Sequence, residues 1–186
     1  NSVLLEAIRH CEKEESNLHI GGLFSTEGVH ADYKQMFALL ELCKRQNFKR
    51  VYLHLCLDGR DMPEKSALPL VEETEKKMDR LGLGKIVSVI GRYYGMDRDK
   101  NWDRTKKAYD LMVEGKGFKA KTAKEAIESA YERGDKTDYY VQATTIVGEN
   151  EQPIELLKNN DSFIWYSFRS DRARQITAMV NGLDYC

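Results

Sequence analysis

With 186 residues, 41% of them apolar and 32% charged, the chain is long enough to bury a core and polar enough to fold as a globular domain. A formal net charge of −1 argues against the broad basic surface of a general nucleic-acid binder, and no apolar run comes near the roughly 20 residues that cross a bilayer. No nucleic-acid or membrane partner is therefore expected. The four cysteines, Cys11, Cys43, Cys56 and Cys186, form no C-x-x-C pair and read as buried free thiols of a cytoplasmic protein. The first residues lack the shape of a secretion signal. Asn1 is not an initiator methionine and Cys186 follows no evident finish, so residues 1–186 are expected to be one domain excised from a larger protein.

Ser2 is placed to cap a helix over residues 2–14, with Val3, Leu4, Leu5, Ile8 and Cys11 on its apolar face. A strand is expected over 18–24, leading into Ser25-Thr26-Glu27-Gly28-Val29-His30. Asp32 reads as the N-cap of a helix to residue 46 that turns Met36, Phe37, Leu39, Leu40 and Cys43 inward. Residues 50–57 are the strongest strand, because nearly unbroken apolar character marks a strand covered on both faces. A loop over 58–66 and a helix over 67–81 follow, the helix ended by Gly82 and Gly84. The β-branched run 85–90 is a third strand, and 91–100 is a loop. Helices are expected over 102–113 and from about Thr122 to 133. Residues 139–147 admit a strand, 162–168 form a further one, and 171–180 a closing helix. This alternation predicts a single α/β domain of three layers, α/β/α, around a mostly parallel sheet.

Ligands of such sheets bind beyond the carboxyl ends of the strands. Four segments that carry histidine or arginine fall at that edge: residues 28–30, 58–61, 91–99 and 168–174. Guanidinium groups present rigid forks of donors that match carboxylate and phosphate oxygens. In Asp58-Gly59-Arg60-Asp61 the glycine permits a sharp turn, Arg60 can clamp an anion, and Asp61 can take a proton from a substrate hydroxyl. Arg92 and Arg98 bracket Gly95, with Tyr93 and Tyr94 placed to stack beside them and Asp97 and Asp99 to hold them. Arg169 and Arg172 flank the start of the closing helix, where backbone N–H groups add to phosphate attraction, while Arg174 faces elsewhere. His30 is placed to bind an anion or carry a proton. His54 lies within a strand and reads as a satisfied core residue; His10 and His19 carry no signal. The four loops together suit a small, highly anionic metabolite. Zinc-site, dinucleotide, Walker A and serine-elbow motifs are all missing from the sequence.

Taken as an ordered set, Gly28-Val29-His30, Asp58-Gly59-Arg60-Asp61, Gly91-Arg92-Tyr93-Tyr94 with Met96-Asp97-Arg98-Asp99 and Trp102-Asp103-Arg104, and Phe168-Arg169 with Asp171-Arg172-Ala173-Arg174-Gln175 resemble the cofactor-independent phosphoglycerate mutases. The resemblance covers almost the whole chain. It departs at Ser25-Thr26-Glu27-Gly28, where the family usually reads Ser-Asp-Gly-Gly. It implies the substrate-binding domain of an isomerase that interconverts 3-phosphoglycerate and 2-phosphoglycerate, a glycolytic step, through a phosphoserine intermediate. It further implies a metal-dependent, phosphatase-like domain in the same polypeptide, absent from this chain, that carries the serine and two divalent metal ions, commonly manganese. By the same resemblance Asp61 is the acid/base at the glycerate hydroxyl. Arg60, Arg92 and Arg98 hold the glycerate carboxylate, Arg169 and Arg172 face the phosphate, and His30 lies near the transferring group. The 186 residues alone are then expected to be inactive, with no cofactor and no metal of their own. Two other readings stay open: a stand-alone organophosphate-binding module, and a structural relic whose arginines pair with nearby acids.

Overall fold

The computed structural model describes residues 1–183; Cys186, expected as a buried thiol, lies outside them. In chain order the elements are α1 (Ser2–Lys13), β1 (Leu18–Phe24), α2 (Lys34–Arg45), β2 (Val51–Leu57), α3 (Ala67–Leu81), β3 (Lys85–Gly91), α4 (Arg92–Gly95), α5 (Trp102–Glu114), β4 (Phe118–Ala120), α6 (Ala123–Arg133), β5 (Thr144–Ile146), β6 (Ser162–Trp165) and α7 (Arg174–Val180). The six strands make one sheet in the order β4-β5-β3-β2-β1-β6. β6, β1, β2 and β3 run parallel; β5 pairs antiparallel with β3 and parallel with β4. The fold is α/β with a mostly parallel sheet, as the alternation predicts.

The apolar continuity of β2 has the expected cause. Val51, Leu53, Leu55 and Leu57 join a large cluster with residues of α1, α2, α3 and α6, while α5 and α7 supply Ala108, Leu111, Met112 and Ile176 to a smaller one with Ile90. Burial of each such side chain contributes roughly 1.5–3 kcal/mol. The sheet is therefore the middle layer of three. Cys11, Cys43 and Cys56 are buried free thiols, and burial pushes Cys43 and Cys56 up to about 12.

Several boundaries differ from expectation. Asn1, not Ser2, caps α1: its Oδ1 accepts from the Val3 N–H at 3.1 Å. Asp32 accepts from the Lys34 N–H at 2.9 Å, but the helix begins only after Tyr33. Residues 91–100 are not wholly loop, since Arg92–Gly95 form a helical turn. The 139–147 segment splits into a 3-10 turn at Asp138–Tyr140 and the short strand β5. β4 was not foreseen, because three residues show no period. β6 ends at Trp165, and the closing helix begins at Arg174 after a 3-10 turn at Ser170–Arg172.

The α5/α7 side of the sheet holds a buried polar chain. Ser88 Oγ lies 2.7 Å from His54 Nδ1, and His54 Nε2 lies 2.9 Å from His19 Nδ1. His19 Nε2 lies 3.2 Å from an Asp161 carboxylate oxygen, off the line of a good hydrogen bond. His54 is the satisfied core residue expected, and His19, which carried no signal, is its partner. Burial holds His19 below its ordinary pKa, against the pull of Asp161. Burial and then His19 hold His54 well below its own. In the unfolded chain both take protons below about pH 6.5. The folded chain resists, so stability is full above that pH and falls as pH drops below it. The thermal midpoint should fall between pH 7.5 and 5.5; a flat midpoint over that interval would contradict the neutral pair.

Candidate functional site

Three parallel strands end at the same edge, and each hands the chain to one of the suspect loops. After β2, Gly59 takes a left-handed conformation (φ +59°) that only glycine adopts without strain, and Asp58 caps the turn by accepting from the N–H groups of Arg60 at 3.2 Å and Asp61 at 3.0 Å. After β3, the Gly91 N–H donates to the Val141 carbonyl at 2.7 Å. A Cβ on Gly91 would collide with the carbonyl oxygens of Asp138 and Tyr139, so glycine lets that 3-10 turn pack against the strand end. After β1, the loop that departs from the family pattern still closes: the Tyr33 N–H donates to the Ser25 carbonyl at 2.9 Å, and the His30 carbonyl accepts from Phe168 at 2.9 Å.

These loops bring His30, Asp58, Asp61 and Arg92 into one buried group. Arg92, 1% exposed at its side chain, donates through Nη1 to Asp58 at 2.7 Å and to Asp61 at 2.6 Å. Its Nη2 lies 2.9 Å from His30 Nε2. Burial works against the Arg92 charge, but Asp61 and Asp58 outweigh it and hold the guanidinium above its ordinary pKa. His30 is held below its ordinary value, by burial first and then by Arg92. Arg92 was expected as a free clamp. Here Nη1 is engaged by this chain's own acids and Nη2 by His30, while Nε is buried without a partner among the described residues.

The remaining arginines stand around that group. Arg98 donates to Asp171 at 2.8 Å, and Arg169 donates to the same carboxylate at 2.9 Å. Arg60 lies 3.5 Å from the Tyr139 hydroxyl and over the ring face. Arg172 is buried and donates to the Met96 carbonyl at 2.9 Å. Among the described residues neither Arg60 nor Arg172 has a carboxylate in ion-pair reach. Burial lowers the Arg172 pKa, and the charges of Arg92 and Arg98 lower it further. His30 in turn feels Arg169 and Arg172. The site residues therefore converge. A groove of about 320 Å³ between α5, β6 and α7, lined by Tyr109, Val113, Phe163, Trp165 and Val180, lies away from them.

Some assignments to supporting side chains change. Asp97 does not hold Arg92 or Arg98. It accepts from Asn101, Gln175 and Arg104, and fixes the loop before α5. Asp99 comes only to 4.0 Å from Arg98. Tyr93 stacks with Arg104 and Tyr94 with Lys107. Arg169 is the N-cap and Arg172 the last residue of the 3-10 turn that leads into α7. Asp58 and Asp171 were missed as organising acids, although both stand inside the quoted motifs. Arg174 is exposed, as expected.

Among the described residues no three His, Cys, Asp or Glu side chains are grouped to hold a metal. His30, Asp58 and Asp61 are all bonded by the Arg92 guanidinium. No described helix is long and apolar enough to cross a membrane.

The fold is an α/β domain whose sheet edge carries a cationic lining. Residues 1–185 match the family model described as BPG-independent PGAM N-terminus, and the chain belongs to that family. It is 48% identical over 181 residues to a 2,3-bisphosphoglycerate-independent phosphoglycerate mutase of Acetivibrio thermocellus, covering 97% of this chain and 35% of that protein. It is 46% identical over 185 residues to the protein of the same name from Desulforudis audaxviator, covering 100% and 36%. A crystal structure of Leishmania mexicana phosphoglycerate mutase at low cobalt concentration superposes with a TM-score of 0.88 at 28% identity, over 100% of this chain and 38% of that one. The chain thus spans about a third of the length of the curated relatives it matches.

Proposed function

We propose that this chain is the substrate-binding part of a cytoplasmic, cofactor-independent phosphoglycerate mutase, and that the cationic edge binds 3-phosphoglycerate and 2-phosphoglycerate. The observation that carries the reading is Arg172. A buried cation without a carboxylate partner is costly, and such groups concentrate where a ligand supplies the missing charge. Arg98 and Arg169 already share one carboxylate, that of Asp171, so their spacing suits a small carboxylate or phosphate. A purely structural network accounts for Arg92 but leaves Arg60 and Arg172 without acids.

In this reading Arg60 and Arg98 grip the glycerate carboxylate, Arg169 and Arg172 face the phosphate, and Arg92 holds Asp61 and His30 in place. Asp61 takes the proton of the glycerate hydroxyl as that oxygen attacks phosphorus, and returns one when the oxygen leaves. The phosphoryl group rests meanwhile on a serine of the remaining polypeptide, whose two divalent metal ions, commonly manganese in relatives, supply charge stabilisation there. Multiple guanidiniums keep the glycerate from escaping between the two transfers. The 186 residues alone bind but do not turn over substrate.

Calorimetric titration tests the reading. 3-Phosphoglycerate should bind the wild-type chain, and Arg98→Ala should weaken it about tenfold or more while leaving the unfolding midpoint nearly unchanged, because the Arg98 pairs are exposed. Equal heats from the two proteins would sink the assignment.

A further inference from the structure

Asp58 has no part in the substrate contacts proposed above, yet its side chain is only 1% exposed, at the end of β2. Its Oδ1 accepts from three donors: the N–H of Arg60, the N–H of Asp61, and Arg92 Nη1. The same guanidinium reaches His30 Nε2 with its other terminal nitrogen. A guanidinium has donors only. In that contact Nε2 accepts, which makes the imidazole neutral with its proton on Nδ1, a buried atom that has no partner among the described residues. A competing arrangement lies close by, because Asp61 Oδ2 is 3.5 Å from the same Nε2 and would pair with an imidazolium. Asp61 also faces the more open side, 20% exposed, and cannot by itself pin Arg92 inward.

We propose that Asp58 is the positioning residue of this site: by anchoring Arg92 against His30 Nε2 it keeps His30 neutral, as the Nδ1–H form, and keeps Asp61 from being consumed in a pair with it. The charged groups facing His30 are Arg92 from α4, Asp61 from the turn after β2, and Arg169 and Arg172 from the turn before α7. Three of these four favour the neutral ring; Asp61 alone opposes. Its consequence for the reaction rests on the mutase reading: the hydroxyl proton then goes to Asp61 and not to His30.

Nitrogen-15 NMR of the 186-residue chain reads His30 directly. The wild type should show the Nδ1–H tautomer near pH 7 and titrate below about 6.5. Asp58→Asn keeps an oxygen for the two backbone N–H groups but drops the charge on Arg92. Its His30 midpoint should rise, with Nε2 becoming protonated against Asp61. In an Arg92→Met background the same change should move the midpoint no further, since Asp58 acts through Arg92. A wild-type proton on Nε2, which needs no variant to observe, would overturn the proposal, as would an unmoved midpoint in folded Asp58→Asn. Phosphoglycerate is absent from this readout, so failure to bind it counts against the mutase reading alone.

Discussion

Arg92→Met should destabilise the chain by about 3–5 kcal/mol, the largest stability effect expected of any single change at the site. Methionine fills similar space but leaves Asp58 and Asp61 facing one another without the cation that joins them. Burial of the Asp58 side chain, 1% exposed, keeps water from replacing it. The penalty should shrink on acidification, because protonating the stranded carboxylates removes the charge that lost its counterion. Urea unfolding at pH 7.5 and pH 5 measures both effects. A loss below about 1 kcal/mol, in the range of an exposed pair, would show that Arg92 is not the keystone of this edge.

Asp61→Asn should behave in the opposite way, with a small effect on folding and a large one on turnover. Asparagine keeps the outline of the side chain and an oxygen for Arg92, and Asp58 still holds that guanidinium. It cannot take a proton from a glycerate hydroxyl. In the whole protein, an enolase-coupled assay should show kcat reduced about 10²–10⁴-fold, the usual worth of a positioned proton acceptor, while 3-phosphoglycerate still binds the 186-residue chain. Near-normal kcat would remove Asp61 from its proposed role and pass the proton to another group.

The sheet could be read from the sequence because its causes are local. β2 announces itself by apolar residues on both faces, and α3 ends where Gly82 takes the left-handed conformation. The position of the site followed from one rule, that loops after parallel strands share an edge. Which side chain does what did not follow, because those pairings span long stretches of sequence. Arg92 meets Asp58 across 34 residues, and Gln175 meets Asp97 across 78. An arginine in a loop motif looks the same in sequence whether it is free or already neutralised. The nearby acids separate the two cases: Arg92 is paired with Asp58 and Asp61, while Arg60 and Arg172 have no carboxylate in reach among the described residues. The His19–His54–Ser88 chain was invisible for the same reason, since strand register alone brings the three together.

The central claim is that separate loops close on one small phosphorylated acid. The most direct test follows the guanidinium signals of the chain by NMR as 3-phosphoglycerate is added. Arg60, Arg98, Arg169 and Arg172 should shift together along a single saturating curve, with the exposed Arg174 still. Shifts scattered over unrelated arginines, or signals at the site that do not move while others do, would contradict it.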